Sequence, residues 1–356
     1  MTTIIQPRAR VAMMPEYHPP LGNRDRLRLD FNENTVACSP AVKAAIESIT
    51  AADLTRYPER GPIEALVAQH LGLDPEQTIL TNGVDEAIHV LFQAFLDAGD
   101  ELLLPVPTYT MYEIYASATD AKTLRVQADS SFRFPCETLL AAITSKTKII
   151  VIANPNSPTG SVATRDQIFA IALAAPQALI LVDEAYYHFY GQTVIDLIDT
   201  IPNIIVARTF SKAYGLASLR LGLLAGSESH LKWVRRVLSP YSVNTVALVA
   251  LTAAVNDQSY LDWYVGEIRQ SRAEFLAALT RIGLSYWPTE ANFVLVNIGS
   301  SHKEFVAAMR DQSILVRDRS ADPGCDGLVR ITIGTRQQMA HAIGAIESFL
   351  TAEVHP

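Results

Sequence analysis

Between residues 78 and 226 the chain repeats one pattern: a short, nearly continuous apolar run, a turn, then a helical stretch. The runs are TILTN (78–82), ELLLP (101–105), KIIVIAN (148–154), ALILVDEA (178–185), NIIVART (203–209) and RLGLLAG (220–226). A strand with one wet face alternates apolar and polar residues, whereas a strand covered on both faces stays apolar. The runs therefore predict buried parallel strands. Stretches such as VDEAIHVLFQAFLDAG (84–99) supply the helices between them, with Gly99 as a stop signal. Repeated βα units imply an α/β domain with a mostly parallel central sheet between helices.

Near residue 257 the pattern changes. A long helical period (257–281) leads into ANFVLVNI (291–298), SILVRD (313–318), LVRITIG (328–334) and a final helix, which reads as a smaller α+β domain. The expected division is an N-terminal arm with part of the small domain (1–40), a large domain (41–256) and a small C-terminal domain (257–356). With 356 residues, the chain is long enough for both cores. VALVALTAAV (246–255) is too short to span a bilayer and reads as a buried helix.

Charge and cysteine usage narrow the partners. A net charge of −8, a pI near 5.5 and scattered basic residues argue against nucleic acid or an anionic membrane as the main partner. The opening MTTIIQPRARVAMMPEYHPP lacks a long apolar stretch and is broken by prolines, so no signal peptide is expected. Cys38, Cys136 and Cys325 are far apart and show no zinc spacing, which predicts a reducing cytoplasm and no metal. Neither GxGxxG nor GxxxxGK[ST] occurs, leaving a dinucleotide fingerprint or P-loop unsupported.

In such sheets ligands collect at the carboxyl ends of the strands. There the run 178–182 delivers Asp183, Glu184 and Tyr186, and the run 203–208 delivers Thr209, Ser211 and Lys212, with Arg220 following. Taken singly, Lys212 is a solvated charge, Asp183 a loop cap, Arg220 a surface ion pair and GVDEA (83–87) a glycine turn opening a helix. Together they suit one ligand. A carboxylate and an amine facing one crevice are what pyridoxal phosphate chemistry needs: the amine bonds the aldehyde and the carboxylate keeps the pyridine nitrogen protonated. Arg220, Thr209, Ser211 and the helix N-terminus after Gly83 would take the phosphate.

SKAYGLASLRLG (211–222) strongly resembles the lysine segment of fold-type I pyridoxal-phosphate aminotransferases. ANPNSPTG (153–160), LVDEAYYHF (181–189) and LVRITIG (328–334) match further blocks in the same order. NENT (32–35), RYPE (56–59), TNGVDEAI (81–88) and PVPTYTMY (105–112) look most like the histidinol-phosphate aminotransferase branch, and the resemblance runs from about residue 27 to 350. It implies the fold-type I PLP-dependent transferase architecture, with Lys212 as the covalent cofactor residue, Asp183 on the pyridine nitrogen and Tyr186 on the ring hydroxyl. It also implies Tyr109 stacked on the ring, and backbone N–H groups of Val84 and Asp85 on the phosphate beside Thr209, Ser211 and Arg220. Tyr57 would reach the phosphate of a neighbouring subunit, making a homodimer with shared sites. Arg330 would grip the substrate anion, with Arg317 as a second anion-binding candidate and Tyr17 and Asn32 lining the substrate side.

Two departures stand out. Many relatives read NPNNPTG, whereas here Ser157 replaces the second asparagine of the pair, leaving Asn156 before it; the ring contact is then lost, bridged by water or taken over by Tyr186. PEYHPP (15–20) and NENT replace a PY-x-PG-like segment and NENP in the region expected to close over substrate. The resemblance implies transfer of an amino group from L-histidinol phosphate to 2-oxoglutarate, a small-molecule amino donor and a 2-oxo acid. The alternatives are an aromatic amino acid aminotransferase, a phospho-amino-acid decarboxylase of the same fold, and a catalytically silent pyridoxal-phosphate-binding regulator.

Overall fold

The apolar runs are strands because their successive residues enter two different cores. The computed structural model describes residues 5–14, 16, 18, 22 and 24–354. In chain order its strands are β1 (Leu27–Arg28), β2 (Thr78–Thr81), β3 (Glu101–Val106), β4 (Lys122–Gln127), β5 (Thr147–Ala153) and β6 (Leu179–Asp183). They continue with β7 (Ile204–Thr209), β8 (Gly222–Gly226), β9 (Phe293–Asn297), β10 (Ile314–Leu315), β11 (Arg317–Asp318) and β12 (Leu328–Thr332). The central sheet has seven strands in the order β2-β8-β7-β6-β5-β3-β4. Along β5, Ile150 and Ile152 enter one core while Ile149 and Val151 enter the other. β6 and β7 repeat the division, with Ile180, Val182, Ile204 and Val206 against Leu179, Leu181, Ile205 and Ala207. Each large aliphatic buried this way contributes roughly 1.5–3 kcal/mol.

Helices Gly83–Phe95, Met111–Ala118 and Glu228–Val237 cover one face of the sheet. Helices Gly61–Leu71, Arg165–Ala174 and Thr245–Asn256 cover the other. The latter core runs on through Tyr264 and Ile268 of the long helix Gln258–Arg281 to Phe293 and Ile331 of a second sheet. That sheet is antiparallel, in the order β11-β12-β9, and its register sets Arg317 directly opposite Arg330. β1 pairs in parallel with β10, which ties the segment after residue 24 to the C-terminal part of the chain.

Three expectations are corrected, and one further strand appears. RLGLLAG is a strand, but β8 runs antiparallel to both neighbours. The link from β7 to β8 holds only a single 3₁₀ turn, Ala217–Leu219, and a parallel return needs a longer crossover. KTLRVQ escaped notice because β4 is an edge strand in which Val126 alone is fully buried. The helix of 84–99 stops at Phe95, since Leu96 is already extended (φ −107°, ψ 129°) and Gly99 belongs to the turn beyond. SILVRD divides into β10 and β11, which join different sheets. Among the described residues, no helix is long and apolar enough to cross a membrane, and no His/Cys/Asp/Glu group suits a metal ion.

β2 and β7 lie parallel, so their carboxyl ends share an edge, and the reversed β8 brings its start to that same edge. The approach is close: a Cβ on Gly222 would sit 2.6 Å from Gly83 C and from Val84 N. Gly222→Ala is therefore expected to cost about 1–3 kcal/mol through backbone overpacking. Gly266→Ala, in a helix with open space around the position, should add about 0.5–1 kcal/mol. Denaturant midpoints of the two variants, moving in opposite directions, check this reading.

Candidate active site

The loop between β7 and β8 carries Lys212, and the antiparallel turn places it over the carboxyl ends of β6 and β7. Its Nζ donates to the Phe31 carbonyl oxygen at 2.9 Å and lies 5.9 Å from the Tyr186 ring centroid. Phe31 is itself flanked by the guanidinium groups of Arg24 and Arg317, at 4.6 and 5.3 Å from its ring centre. That cation–π packing helps anchor the 24–34 segment beside the lysine.

Asp183 ends β6 and is only 5% exposed. Its Oδ2 accepts from the Tyr112 hydroxyl at 2.5 Å and its Oδ1 from the Ala185 N–H at 3.0 Å. Burial pushes the carboxyl up to about 6, and these two hydrogen bonds oppose the rise by favouring the charged form. Burial and the adjacent carboxylate raise the Tyr112 phenol well above its usual range, so it stays a neutral donor.

Next to them, the Asn32 amide donates to the Tyr186 hydroxyl at 2.8 Å. Asn32 is buried in a left-handed conformation (φ 55°), which asparagine tolerates better than most residues. Thr332 and Asn292 fix its backbone and side chain, linking this point to the second sheet. Arg330 of β12 is also buried; its Nη1 donates to Ser157 Oγ at 2.9 Å and its Nη2 to the Asp30 carbonyl at 2.6 Å. Its Nε is buried without a hydrogen-bond partner. Burial first, then the positive charge of Arg319 and Arg317, lowers the guanidinium to about 10, which leaves it cationic at neutral pH.

A second group sits at the edge formed by β2, β7 and β8. The helix Gly83–Phe95 begins with no side-chain cap, so its first N–H groups are open to an anion. Arg220 adopts a left-handed conformation (φ 54°), which costs a non-glycine residue about 1–2 kcal/mol. The conformation lays its guanidinium against Gly83, within hydrogen-bond reach of Asp85 at 3.0 Å. Thr209 Oγ1 accepts from the Ser211 N–H, shaping the turn before Lys212. Tyr109 donates to Asp85 at 2.7 Å and meets Tyr112 edge-on at 5.6 Å, which connects this group to Asp183.

Lys212, Asp183, Tyr186, Asn32, Ser157 and Arg330 thus form one cluster, and Val84, Asp85, Tyr109, Thr209, Ser211 and Arg220 form its neighbour. Two expected residues stand apart. Tyr57 is 78% exposed and packs on Tyr241 at 4.5 Å. The Asn156 amide is spent on Thr108, Pro107 and Thr159, organising its own loop. Tyr17 lies outside the described residues. Glu184 points away from the lysine and pairs with Arg208 at 2.8 Å. Tyr112 is the functional side chain that sequence reasoning passed over, although PVPTYTMY contains it; only the helix start at Met111 turns it beneath the sheet edge.

The family model for aminotransferase class I and II matches residues 24–346. The chain is 32% identical to the histidinol-phosphate aminotransferase of Brevibacillus brevis, over 98% of this chain and 99% of the relative. It is 33% identical to that of a Geobacillus species, over 92% and 91%. The crystal structure of histidinol-phosphate aminotransferase from Sinorhizobium meliloti in complex with pyridoxal 5′-phosphate superposes with a TM-score of 0.87 at 25% identity, covering 98% of this chain and 99% of that one. This chain belongs to the class I and II aminotransferase family, and its fold is that of fold-type I pyridoxal-phosphate enzymes.

Keeping Asp183 charged in a buried site is costly without a cationic partner. An aspartate whose pKa rises from 3.8 to about 6 on folding loses stability as pH climbs between those values. Asp183→Asn should stabilise the cofactor-free protein by up to ~3 kcal/mol above pH 6, and little near pH 4. Thermal midpoints across pH test it. Tyr112→Phe removes a bond to the charged form, so the pH below which cofactor affinity falls should move upward.

Proposed function

We propose that this chain is a pyridoxal-phosphate-dependent aminotransferase that moves the amino group of L-histidinol phosphate to 2-oxoglutarate, acting as a homodimer in the cytoplasm. The residues present fit the cofactor: a buried carboxylate raised to about 6 lacks a cation, an uncapped helix start adjoins Arg220, and a lysine stands between them. Bound there, pyridoxal phosphate supplies an aldehyde for the amino group and an electron-accepting ring.

The protein's own groups then divide the work. Asp183 holds the proton on the pyridine nitrogen, with Tyr112 keeping the carboxylate charged and aimed. Tyr186, steadied by Asn32, donates to the ring hydroxyl oxygen, the contact that Ser157 is too short to make. Thr209, Ser211, Arg220 and the N–H groups of Val84 and Asp85 seat the phosphate, and Tyr109 covers the ring. The Lys212 amine is the base that takes the proton from the substrate Cα and returns it to the acceptor carbon.

The observation that carries the substrate class is the arginine pair across β11 and β12. Like charges directly opposite destabilise a sheet; Asp322 offsets part of this charge, and a bound anion would offset more. Arg330 also holds a buried Nε without a partner. A guanidinium fork accepts a phosphate or a carboxylate, so one grip serves both halves of the exchange. The similarity to histidinol-phosphate aminotransferases over nearly the whole chain supports the phosphate as the donor's anion.

A half-reaction screen of histidinol phosphate, phenylalanine, tyrosine and phosphothreonine, followed by the change in cofactor absorbance, should show histidinol phosphate reacting fastest. Faster conversion of phenylalanine would assign the site to aromatic amino acids. Arg330→Lys is expected to lower kcat/KM by about 10–100-fold, the loss of one charged hydrogen-bonding fork. Homodimer sharing is supported by the exposed Tyr57–Tyr241 pair, and mixing inactive Tyr57→Phe and Lys212→Ala chains should restore activity. A fully active monomer would refute sharing.

A further inference from the structure

Behind the lysine loop lies a crevice of about 360 Å³ that shares only Thr209 with the residues assigned to cofactor and substrate. It is bounded by helix Gly61–Leu71, the segment 187–195, the end of β7 with Thr209, Phe210 and Tyr214, and the long helix Gln258–Arg281. Its size falls in the range of small-molecule sites. Phe210, Leu223, Leu261 and Val265 give it apolar walls, and Tyr187 and Tyr214 add aromatic rings to the lining.

Its polar groups are few and oriented. Arg208 is nine-tenths buried and lies over the Tyr187 ring at 3.8 Å. Its Nε and Nη2 are taken by Glu184, and Nη2 also by Thr193; among the described residues Nη1 has no hydrogen-bond partner. Arg269 at the rim gives its Nε and Nη2 to the Phe189 and His188 carbonyls. Between them is His188, packed edge-on against Tyr214 at 5.1 Å. Burial, then the positive groups Arg208, His70 and Arg269, pushes its imidazole down to about 3, so it is neutral. Glu184 offsets part of the Arg208 charge, and Asp262 at the rim opposes an anion. The crevice still presents Arg208 at its inner end, Arg269 at its rim and a neutral imidazole between them, all capable of donating.

We propose that this crevice is a second ligand site, separate from the catalytic one, which takes a small aromatic carboxylate with its ring between Tyr187 and Tyr214 and its carboxylate toward Arg208 Nη1. The ring matches the apolar and aromatic lining, and the carboxylate supplies a charged acceptor to Arg208 Nη1, which opens onto the crevice from a largely buried side chain. Because Thr209, Phe210 and Tyr214 flank Lys212 in the chain, the ligand and the cofactor contact one and the same loop. The site does not depend on which amine the catalytic centre uses.

Fluorine NMR of the holoenzyme titrated with 4-fluorobenzoate tests it. Two bound resonances are expected, because Arg330 can also hold a carboxylate. Arg330→Lys should weaken one of them and leave the other. Val265→Phe, which fills the crevice, should abolish the second, Arg269→Gln should weaken it, and Asp262→Asn at the exposed rim should tighten it about 2–5-fold. The neutral probe 4-fluorobenzyl alcohol should bind there more weakly than the carboxylate. A single bound resonance that responds only to Arg330→Lys would overturn the proposal. So would a second resonance indifferent to both Val265→Phe and Asp262→Asn, which rests the test on a surface variant that keeps its fold.

Discussion

The site depends on the reversal of β8. Its antiparallel pairing with both β2 and β7 brings the beginning of β8 to the edge where the parallel strands end. The loop carrying Lys212 is thereby held as a short antiparallel link rather than a crossover. Two glycine backbones, Gly83 and Gly222, must nearly touch for this to happen. Once they do, Arg220 is laid against the start of a helix, and Lys212 reaches the Phe31 carbonyl near the Tyr186 ring.

Around that frame the chain accepts electrostatic cost in return for reactivity. Asp183 is buried without a cation, and Arg330 is buried opposite another arginine. Each carries an electrostatic cost, which Asp322 offsets in part for Arg330. Burial raises the aspartate to about 6 and lowers the guanidinium to about 10, the kind of perturbation that clusters at functional sites. The supporting hydrogen bonds from Tyr112, Asn32 and Ser157 fix where those charges sit. On the far side of the same loop, the Arg208–Glu184 pair is satisfied internally, apart from one guanidinium nitrogen.

The departures from the family pattern acquire physical explanations. Ser157 accepts from Arg330, so its short side chain is engaged by the buried guanidinium, while the Asn32 amide fixes the Tyr186 hydroxyl. In NENT, the Thr35 hydroxyl donates to Gln338, whose amide returns a bond to the Thr35 carbonyl. A proline there would have no hydroxyl to give. Both substitutions therefore join the site to the C-terminal part of the chain.

Periodicity in the amino-acid sequence determined the strands buried on both faces, because alternate residues of β5, β6 and β7 had to be apolar for two cores. Motif order determined the family, and residue type at the strand ends determined the candidate chemistry of Lys212, Asp183 and Arg220. The edge strand β4 stayed hidden because one-sided burial leaves little apolar signal. Tertiary structure alone decided the direction of β8, the pairing of Arg317 with Arg330, the capture of Asp183 by Tyr112 and the buried pairing of Glu184 with Arg208. Those outcomes join residues far apart in the chain, and their energies depend on burial and geometry that no local pattern of residues encodes.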